Sequence, residues 1–436
     1  MIRTAAFAAA LALAALPAAA QPKLKPAEAR VVAAAGREEP RAIALLEKLV
    51  NVNSGTMNLA GVEQVGRMMR AELEPLGFDV QWVPKPQTGR AGHIVATHKG
   101  SGRGKRMLLI GHLDTVFEPD SPFQTFTRKS DGVIEGPGVN DMKGGLVIMV
   151  AALRAMQTAG TLKDADITLV LTGDEERPGR PIEIARAELL QAAETSDVAL
   201  EFEGLAQDGD RDMGSIARRS SGQWTLEVTA KSGHSSGVFS DGAGYGAIYE
   251  LARILDAFRE EARETNATFN PGLVLGGATA EINPAETGGT ATGKTNIIAA
   301  TAIARGDLRT LSNDQTERVR DKMRAIVARP LKGAEAKISF QDGYPAMPPT
   351  EGSRTLLKAL NGVNRDLGLP QMEELDPLKR GAGDIAFVAG KVDGLIGLGA
   401  AGEGAHAPGE TAHLAAFDRQ IKRAALLMTR LSQTAR

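Results

Sequence analysis

Two histidines and a run of carboxylates stand just past apolar segments of this 436-residue chain. In LLIGHLDTVF an apolar segment ends in His112, with Asp114 two residues on. Side chains repeat every second residue along a strand, so both can face the same way at its end. A carboxylate beside an imidazole fixes the tautomer of a metal-binding histidine. A hydrogen-bonded strand-end pair is the plainer alternative. Asp141, in GPGVNDMKGG, precedes a helical run and suits either a helix cap or a ligand. ITLVLTGDEE runs into Asp174, Glu175 and Glu176, like charges that repel unless a cation lies among them. One such acid can hold the cation while its neighbour takes a proton from water. DVALEFEG ends in Glu201 and Glu203, which alternation puts on one face, and GAAGEGAHAPGE carries His406 in a small-residue loop. The chain has no cysteine, so a metal site must use His, Asp and Glu. This supply fits a pair of Zn²⁺ ions sharing one bridging carboxylate. His413, seven residues past His406, reads as a surface or supporting residue.

Apolar segments must position these groups. HIVATH, RMLLIGHLDTV, DITLVLTGDEE and DVALEFEG read as strands, and GGLVIMVAALRAMQTAG as a helix closed by Gly160. Strands alternating with helices predict an α/β fold with a sheet at least partly parallel, in which ligands bind beyond the strand ends. Near residue 222 the pattern changes. QWTLEVTAKS, a helix over GAGYGAIYELARILDAFREEARE, PGLVLGGAT, TNIIAATAIARGDLRT, a helix over SNDQTERVRDKMRAIVAR, and AEAKISFQDG follow in turn. That β-α-β-β-α-β order predicts an inserted ferredoxin-like α+β layer, because α/β signals resume after it.

Composition narrows the partners. Hydrophobic residues make up 43% and charged residues 24%, ordinary for a globular protein. With a net charge of -2, 4% aromatic residues and no basic stripe, nucleic acid is not an expected partner. Met1-Ile2-Arg3, the apolar AAFAAALALAALP and Ala18-Ala19-Ala20 have the layout of a secretory signal peptide, too short to span a bilayer comfortably. A soluble periplasmic or secreted protein with no membrane association after cleavage is expected. GGTATGKT, Gly288–Thr295, matches the phosphate-binding pattern G-x-x-x-x-G-K-[ST]. Its flanks do not suit a nucleotide hydrolase. No apolar strand precedes it, and β-branched, strand-like residues follow where a helix should begin. A glycine-rich hairpin connection is expected, with Lys294 solvated.

Taken in order, GHLDTV, GPGVNDMKGG, TGDEE, FEG, SGHSS and GAHAPGE resemble the M20 family of metallopeptidases, in its glutamate carboxypeptidase and aminoacylase branch, over residues 40 to 436. After the signal peptide read at 1–20, the resemblance implies a catalytic domain with a mixed sheet flanked by helices, in two parts, 21–221 and 343–436. Between them, 222–342 would be a lid or dimerisation domain, through which the chain forms a homodimer. It implies His112, Asp141 and Glu203 on one zinc and Asp141, Glu176 and His406 on the other, with Asp141 bridging. Glu175 takes the general acid/base place and Asp114 orients His112. His234 of SGHSS would stabilise the oxyanion, in some members from the partner subunit. Arg309 of GDLR and Asn296 of KTNII would contact the substrate carboxylate, for which a planar guanidinium suits two-point binding. Only the resemblance chooses Glu203 over Glu201. Two features depart from the family pattern: Arg177-Pro178 after Glu176, and Gly204 where Pro commonly stands.

The implied activity is hydrolysis of an amide next to a free C-terminal amino acid, with a metal-bridging hydroxide as nucleophile. Dipeptides, N-acyl amino acids and folate-like glutamyl amides are the implied substrates. Alternatives are a deacylase or carbamoylase on the same scaffold, or an exported binding protein without catalysis. The exported protein should begin at Gln21. An intact mass that still includes residues 1–20 would overturn the cleavage.

Overall fold

The computed structural model describes residues 24–129, 132–284 and 286–436; the expected signal peptide lies outside them. The strands that matter here are β1 Asp79–Lys85, β2 Arg90–His98, β3 Met107–His112, β4 Ile167–Thr172, β5 Val198–Glu201, β6 Ser221–Ala230, β7 Thr268–Gly277, β8 Thr301–Arg309, β9 Ala334–Tyr344 and β10 Asp393–Ile396. The principal helices are α1 Pro26–Ala35, α2 Glu39–Val50, α3 Leu59–Leu73, α4 Lys143–Ala159, α5 Ala247–Glu261, α6 Asn313–Val327, α7 Glu351–Asp366 and α8 Leu414–Leu431.

The body is a six-stranded sheet in the order β1-β2-β4-β3-β5-β10. β3 runs parallel to β4 and β5, and β5 parallel to β10, while β2 is antiparallel to β1 and β4. MLLIGH in β3 is buried at every position, as a central parallel strand covered on both faces requires. The register aligns the strand ends: His112 faces Thr172, and Ile110 faces Glu201. Whatever follows β4 and β5 thus emerges on the same rim as His112. β1 was not legible as a strand, because its DVQWVPK carries Pro84. Proline is tolerated on an edge strand, and the register shifts beside it, between Pro84 and Lys85.

Helix α4 is apolar nearly all round and is buried along almost its whole length, which marks a central helix. It packs against α1, α2 and α8. Gly160, at φ 76, ends it in the left-handed conformation that favours glycine. Its first turn lies against the chain just after β5: a Cβ on Gly145 would sit 1.8 Å from the Phe202 carbonyl oxygen.

The inserted layer is a four-stranded antiparallel sheet in the order β7-β8-β6-β9. Its connections are helix α5 between β6 and β7 and α6 between β8 and β9, the β-α-β-β-α-β order of a ferredoxin-like layer. Trp224, Leu226 and Val228 alternate inward from β6 into a separate core with Leu251, Phe258, Val319 and Met323. GGTATGKT contributes Gly289–Thr292, a strand paired antiparallel with Thr279–Ile282, and strands rather than a helix follow it. No nucleotide cradle is built there.

Gly145→Ala should cost about 2 kcal/mol, the scale of overpacking a filled core, because the helix start must move away from Phe202. Urea denaturation checks this, and an unchanged midpoint would contradict the packing.

Candidate metal centre and active site

The rim of the body sheet brings His112, Asp141, Glu175, Glu176, Glu203 and His406 together. His112 Nε2 lies 3.2 Å from Asp141 Oδ1, and His406 Nε2 lies 3.1 Å from Asp141 Oδ2 and 3.1 Å from Glu176 Oε2. One carboxylate therefore faces both imidazoles, one oxygen to each. Two groups of side chains are close enough to hold a metal ion: His112, Asp141 and Glu176, and His112, Glu175 and Glu203. Glu176 Oε1 is buried without a hydrogen-bond partner among the described residues. An orphaned buried acceptor beside a second carboxylate and two imidazoles suits a divalent cation.

Each side chain is positioned by its neighbours. His112 is buried and its Nδ1 donates to the Asp114 carbonyl at 3.1 Å, with Asp114 Oδ1 at 3.4 Å. Nδ1 is thereby fixed as a protonated nitrogen, and Nε2 is the nitrogen turned to the cluster. Asp114 accepts from Thr56 Oγ1 at 2.6 Å and from the amides of Glu175 and Glu176 at 3.0 and 3.1 Å. It thus holds both the imidazole and the acidic loop. Burial alone would raise the Asp114 carboxyl, but the His112 and Thr56 hydrogen bonds and the Glu175 amide keep it below its usual range.

Asp141 sits in the turn before α4, and Glu410 shapes that turn. The Glu410 carboxylate accepts from the amides of Gly138, Asn140 and Asp141 at 2.8–2.9 Å. His406 stands at φ 68, a left-handed conformation that costs a non-glycine residue roughly 1–2 kcal/mol.

Glu201 and Glu203 are separated by their partners. Arg218 donates to Glu201 Oε2 at 2.5 Å and to Glu203 Oε2 at 2.6 Å. Glu201 Oε1 also accepts the Ile385 amide at 2.9 Å, so both its oxygens are engaged. Glu203 lines the cleft and receives Arg380 at 3.3 Å. Of the two, Glu203 is the one whose carboxylate lies within reach of His112 and Glu175.

The cleft, of about 810 Å³, runs from Asp141, Glu175, Glu176 and His406 to the inserted layer, where Arg309 lines it. Arg309 Nε donates to Asp307 at 3.0 Å. Arg180, Lys379 and Arg380 add positive charge. His234 and Asn296 are not among the lining residues. The pair Gly233-His234 bridges to Ile297-Ile298 on the inserted layer, and His234 is exposed with Nδ1 bonded to Ser236. The backbone joins their neighbourhoods, the Ser235 amide donating to the Asn296 carbonyl at 2.9 Å. Arg218, Arg380, Glu410 and Thr56 had no local sequence signal as parts of the site. Glu410 alone lies inside a motif, the end of GAHAPGE.

Burial, then the neighbouring Asp141, push the Glu176 carboxyl up to about 7, although His406 opposes the shift. Burial raises Glu175 well above its ordinary value, with Glu203 and Glu176 adding to it against His112. Hydrogen bonds to Asp141 and Glu176 lift His406 to about 11. Each of these shifts favours the protonated form of its group.

A model of the peptidase family M20/M25/M40 matches residues 108–431. The chain belongs to that family. It is a hydrolase of the peptidase type. It is 27% identical over 402 residues to carboxypeptidase G2 of Pseudomonas sp. (strain RS-16), covering 91% of this chain and 90% of that protein. It is 29% identical over 304 residues to a succinyl-diaminopimelate desuccinylase of Bradyrhizobium sp. (strain ORS 278), covering 67% and 73%. A dinuclear metal-binding M20 peptidase of Bacillus subtilis shares its fold, with a TM-score of 0.61 at 17% identity, over 91% of this chain and 99% of that one. The family and the donor set together make divalent metal binding the expected state of the site.

Glu176, Glu201 and Glu410 are each held up to about 7, first by burial, against 4.5 unfolded. The folded, metal-free protein keeps these protons after the unfolded chain has lost them. Stability contributed by these groups should therefore fall as pH rises from about 4.5 to 7. In chelator, Tm should drop across that window. An added divalent cation should raise Tm more at pH 8 than at pH 5. A Tm in chelator that rises over this range would contradict the assignment.

Proposed function

We propose that the protein is an exported two-zinc carboxypeptidase that hydrolyses the amide next to a free C-terminal amino acid. The observation that carries this is the single Asp141 carboxylate presenting one oxygen to each of two histidines 294 positions apart in sequence, at 3.2 and 3.1 Å. His112, Asp141 and Glu203 would hold one ion, and Asp141, Glu176 and His406 the other. Bound ions of this kind act as Lewis acids and lower the pKa of water.

The chain's residues supply the rest. Glu175, whose peptide is fixed by Asp114, takes a proton from the attacking water and passes it to the leaving amine nitrogen. Its raised affinity for protons suits both transfers. Arg309 binds the free carboxylate of the substrate across the cleft and sets the scissile carbonyl beside Glu175. His234 and Asn296 would reach the site from a second subunit. That accords with their absence from the lining of their own cleft and with an exposed apolar patch on the inserted layer. There Phe239 lies 5.4 Å from both the Tyr245 and Tyr249 rings, and Ile248 is exposed beside them. We infer a homodimer through this patch. The N-terminal apolar segment supports export. The likeness to a desuccinylase favours one second reading, an N-acyl amino acid deacylase using the same groups.

Glu175→Gln should lower kcat by about 10³-fold while retaining two metals per chain, since it removes the proton carrier and no proposed ligand. Chelation should abolish turnover and zinc restore it. A panel of C-terminal dipeptides, glutamyl amides and N-succinyl amino acids separates the two readings. Wild-type rates in Glu175→Gln would end both.

A further inference from the structure

The inserted layer joins the body through two chain crossings, and each crossing delivers a side chain to the acid cluster. Arg218 and Met347 exchange both backbone hydrogen bonds at 2.9 Å, and Ser221 pairs with Tyr344 at the roots of β6 and β9. The crossings form one narrow two-stranded ribbon. From the first, Arg218 holds Glu201 and Glu203. From the second, the Tyr344 hydroxyl donates to the Glu175 carbonyl at 2.6 Å and accepts from Arg186 Nη2 at 2.9 Å.

Arg186 ties that hydroxyl to the body sheet. It is buried, with Nε on Asp384 at 2.7 Å and Nη1 on Asp174 at 2.6 Å. Asp384 in turn accepts from Thr172, the last residue of β4, at 2.5 Å. The Glu175 peptide is thus gripped at both ends: its amide by Asp114 from the body, its carbonyl by Tyr344 from the ribbon. A cavity of about 330 Å³ lies beside the ribbon, lined by Ser221, Tyr344, Pro345 and Phe387, so the ribbon is not packed solid on that side.

We propose that Tyr344 is a positioning residue that couples the angle of the inserted layer to the placement of Glu175. Rotation about the ribbon loads the hydroxyl's bonds to Arg186 and to the Glu175 carbonyl, so the angle of the layer and the backbone of Glu175 are set together. The proposal rests on the reading of Glu175 as the proton carrier. Small displacements are enough, since a misplacement of about 1 Å costs on the order of 100-fold in rate. The Tyr344 ring itself packs 5.2 Å from Phe387 and lies under the Arg186 guanidinium at 5.7 Å. Tyr344→Phe therefore removes the hydrogen bonds and keeps the packing.

The test compares wild type with Tyr344→Phe in two measurements. The chain has no cysteine, so Glu63→Cys on α3 and Asp256→Cys on α5, both exposed, take nitroxides for pulsed EPR distances between body and inserted layer. Tyr344→Phe should lower kcat about tenfold with KM changed less than about twofold. Zinc content should be unchanged, and the distance distribution should broaden. An unchanged distribution overturns the coupling, whether or not kcat falls; a fall in KM-dependent terms alone, with kcat intact, overturns it as well. If wild type hydrolyses nothing on the substrate panel, the proposed reaction fails. An unchanged EPR distribution would then still overturn the coupling.

Discussion

Gathering carboxylates at one rim of a sheet is the constraint around which the rest is arranged. Asp114, Asp141, Glu175, Glu176, Glu201 and Glu203 are all buried or half-buried within one region. Isolated buried charges of one sign are too costly to persist. The chain offsets them selectively. Arg218 lies between Glu201 and Glu203, and a hydroxyl and two amides satisfy Asp114. Glu201 and Asp114 are engaged at both oxygens, whereas Glu203, held by Arg218 and Arg380 through Oε2, still faces the cluster. Asp141 and Glu176 are left facing two imidazoles, and that residue of uncompensated charge is where a dication belongs. The lifted proton affinities of His406, Glu175 and Glu176 express the same imbalance from the protein's side.

Parallel topology makes such a rim possible. β3, β4 and β5 run in one direction and end nearly in register, so three successive loops open at one edge. Helix α4 begins at Lys143, directly after the Asp141 turn, so its N-terminal amides favour the negative charge beside it. Glu410 draws three amides of that turn onto one carboxylate. A long-range acid thus fixes the backbone that aims Asp141. The tight fit of Gly145 against Phe202 then locks the helix start to the strand end that leads to Glu203.

The parts legible in the sequence are those whose signal is local. Apolar runs ending in His112, in Asp174-Glu175-Glu176 and in Glu201-Phe202-Glu203 declare both the strands and the polar groups at their ends, because a buried strand cannot carry those groups in its middle. The alternation of β6 likewise announces the change to a one-face-buried antiparallel layer. What was not legible depends on partners distant in sequence. Nothing near Arg218 says that it will meet Glu201, and Glu410 meets Asn140 across 270 positions. Tyr344 is the last residue of an ordinary strand, and only the fold carries it to the Glu175 carbonyl. β1 escaped notice for the opposite reason: its local signal, a proline, argues against a strand everywhere except at an edge.

The inserted layer shows how one motif set can divide between two surfaces. Arg309 ends β8, and its side chain enters the cleft of its own chain. His234 and Asn296 lie on a short two-stranded bridge apart from that sheet, where the Asn296 carbonyl accepts the Ser235 amide at 2.9 Å. This bridge fixes the two residues relative to each other, so they move as one unit and reach a cleft together or not at all. On the proposed reading, Arg309, which binds the carboxylate in cis, and the bridge that carries His234 toward the oxyanion and Asn296 toward the carboxylate in trans are held by separate hydrogen-bonded elements. A change in the angle of the layer would move both units relative to the body sheet. The Tyr344 ribbon, which is bonded to the Glu175 carbonyl, turns about that same angle.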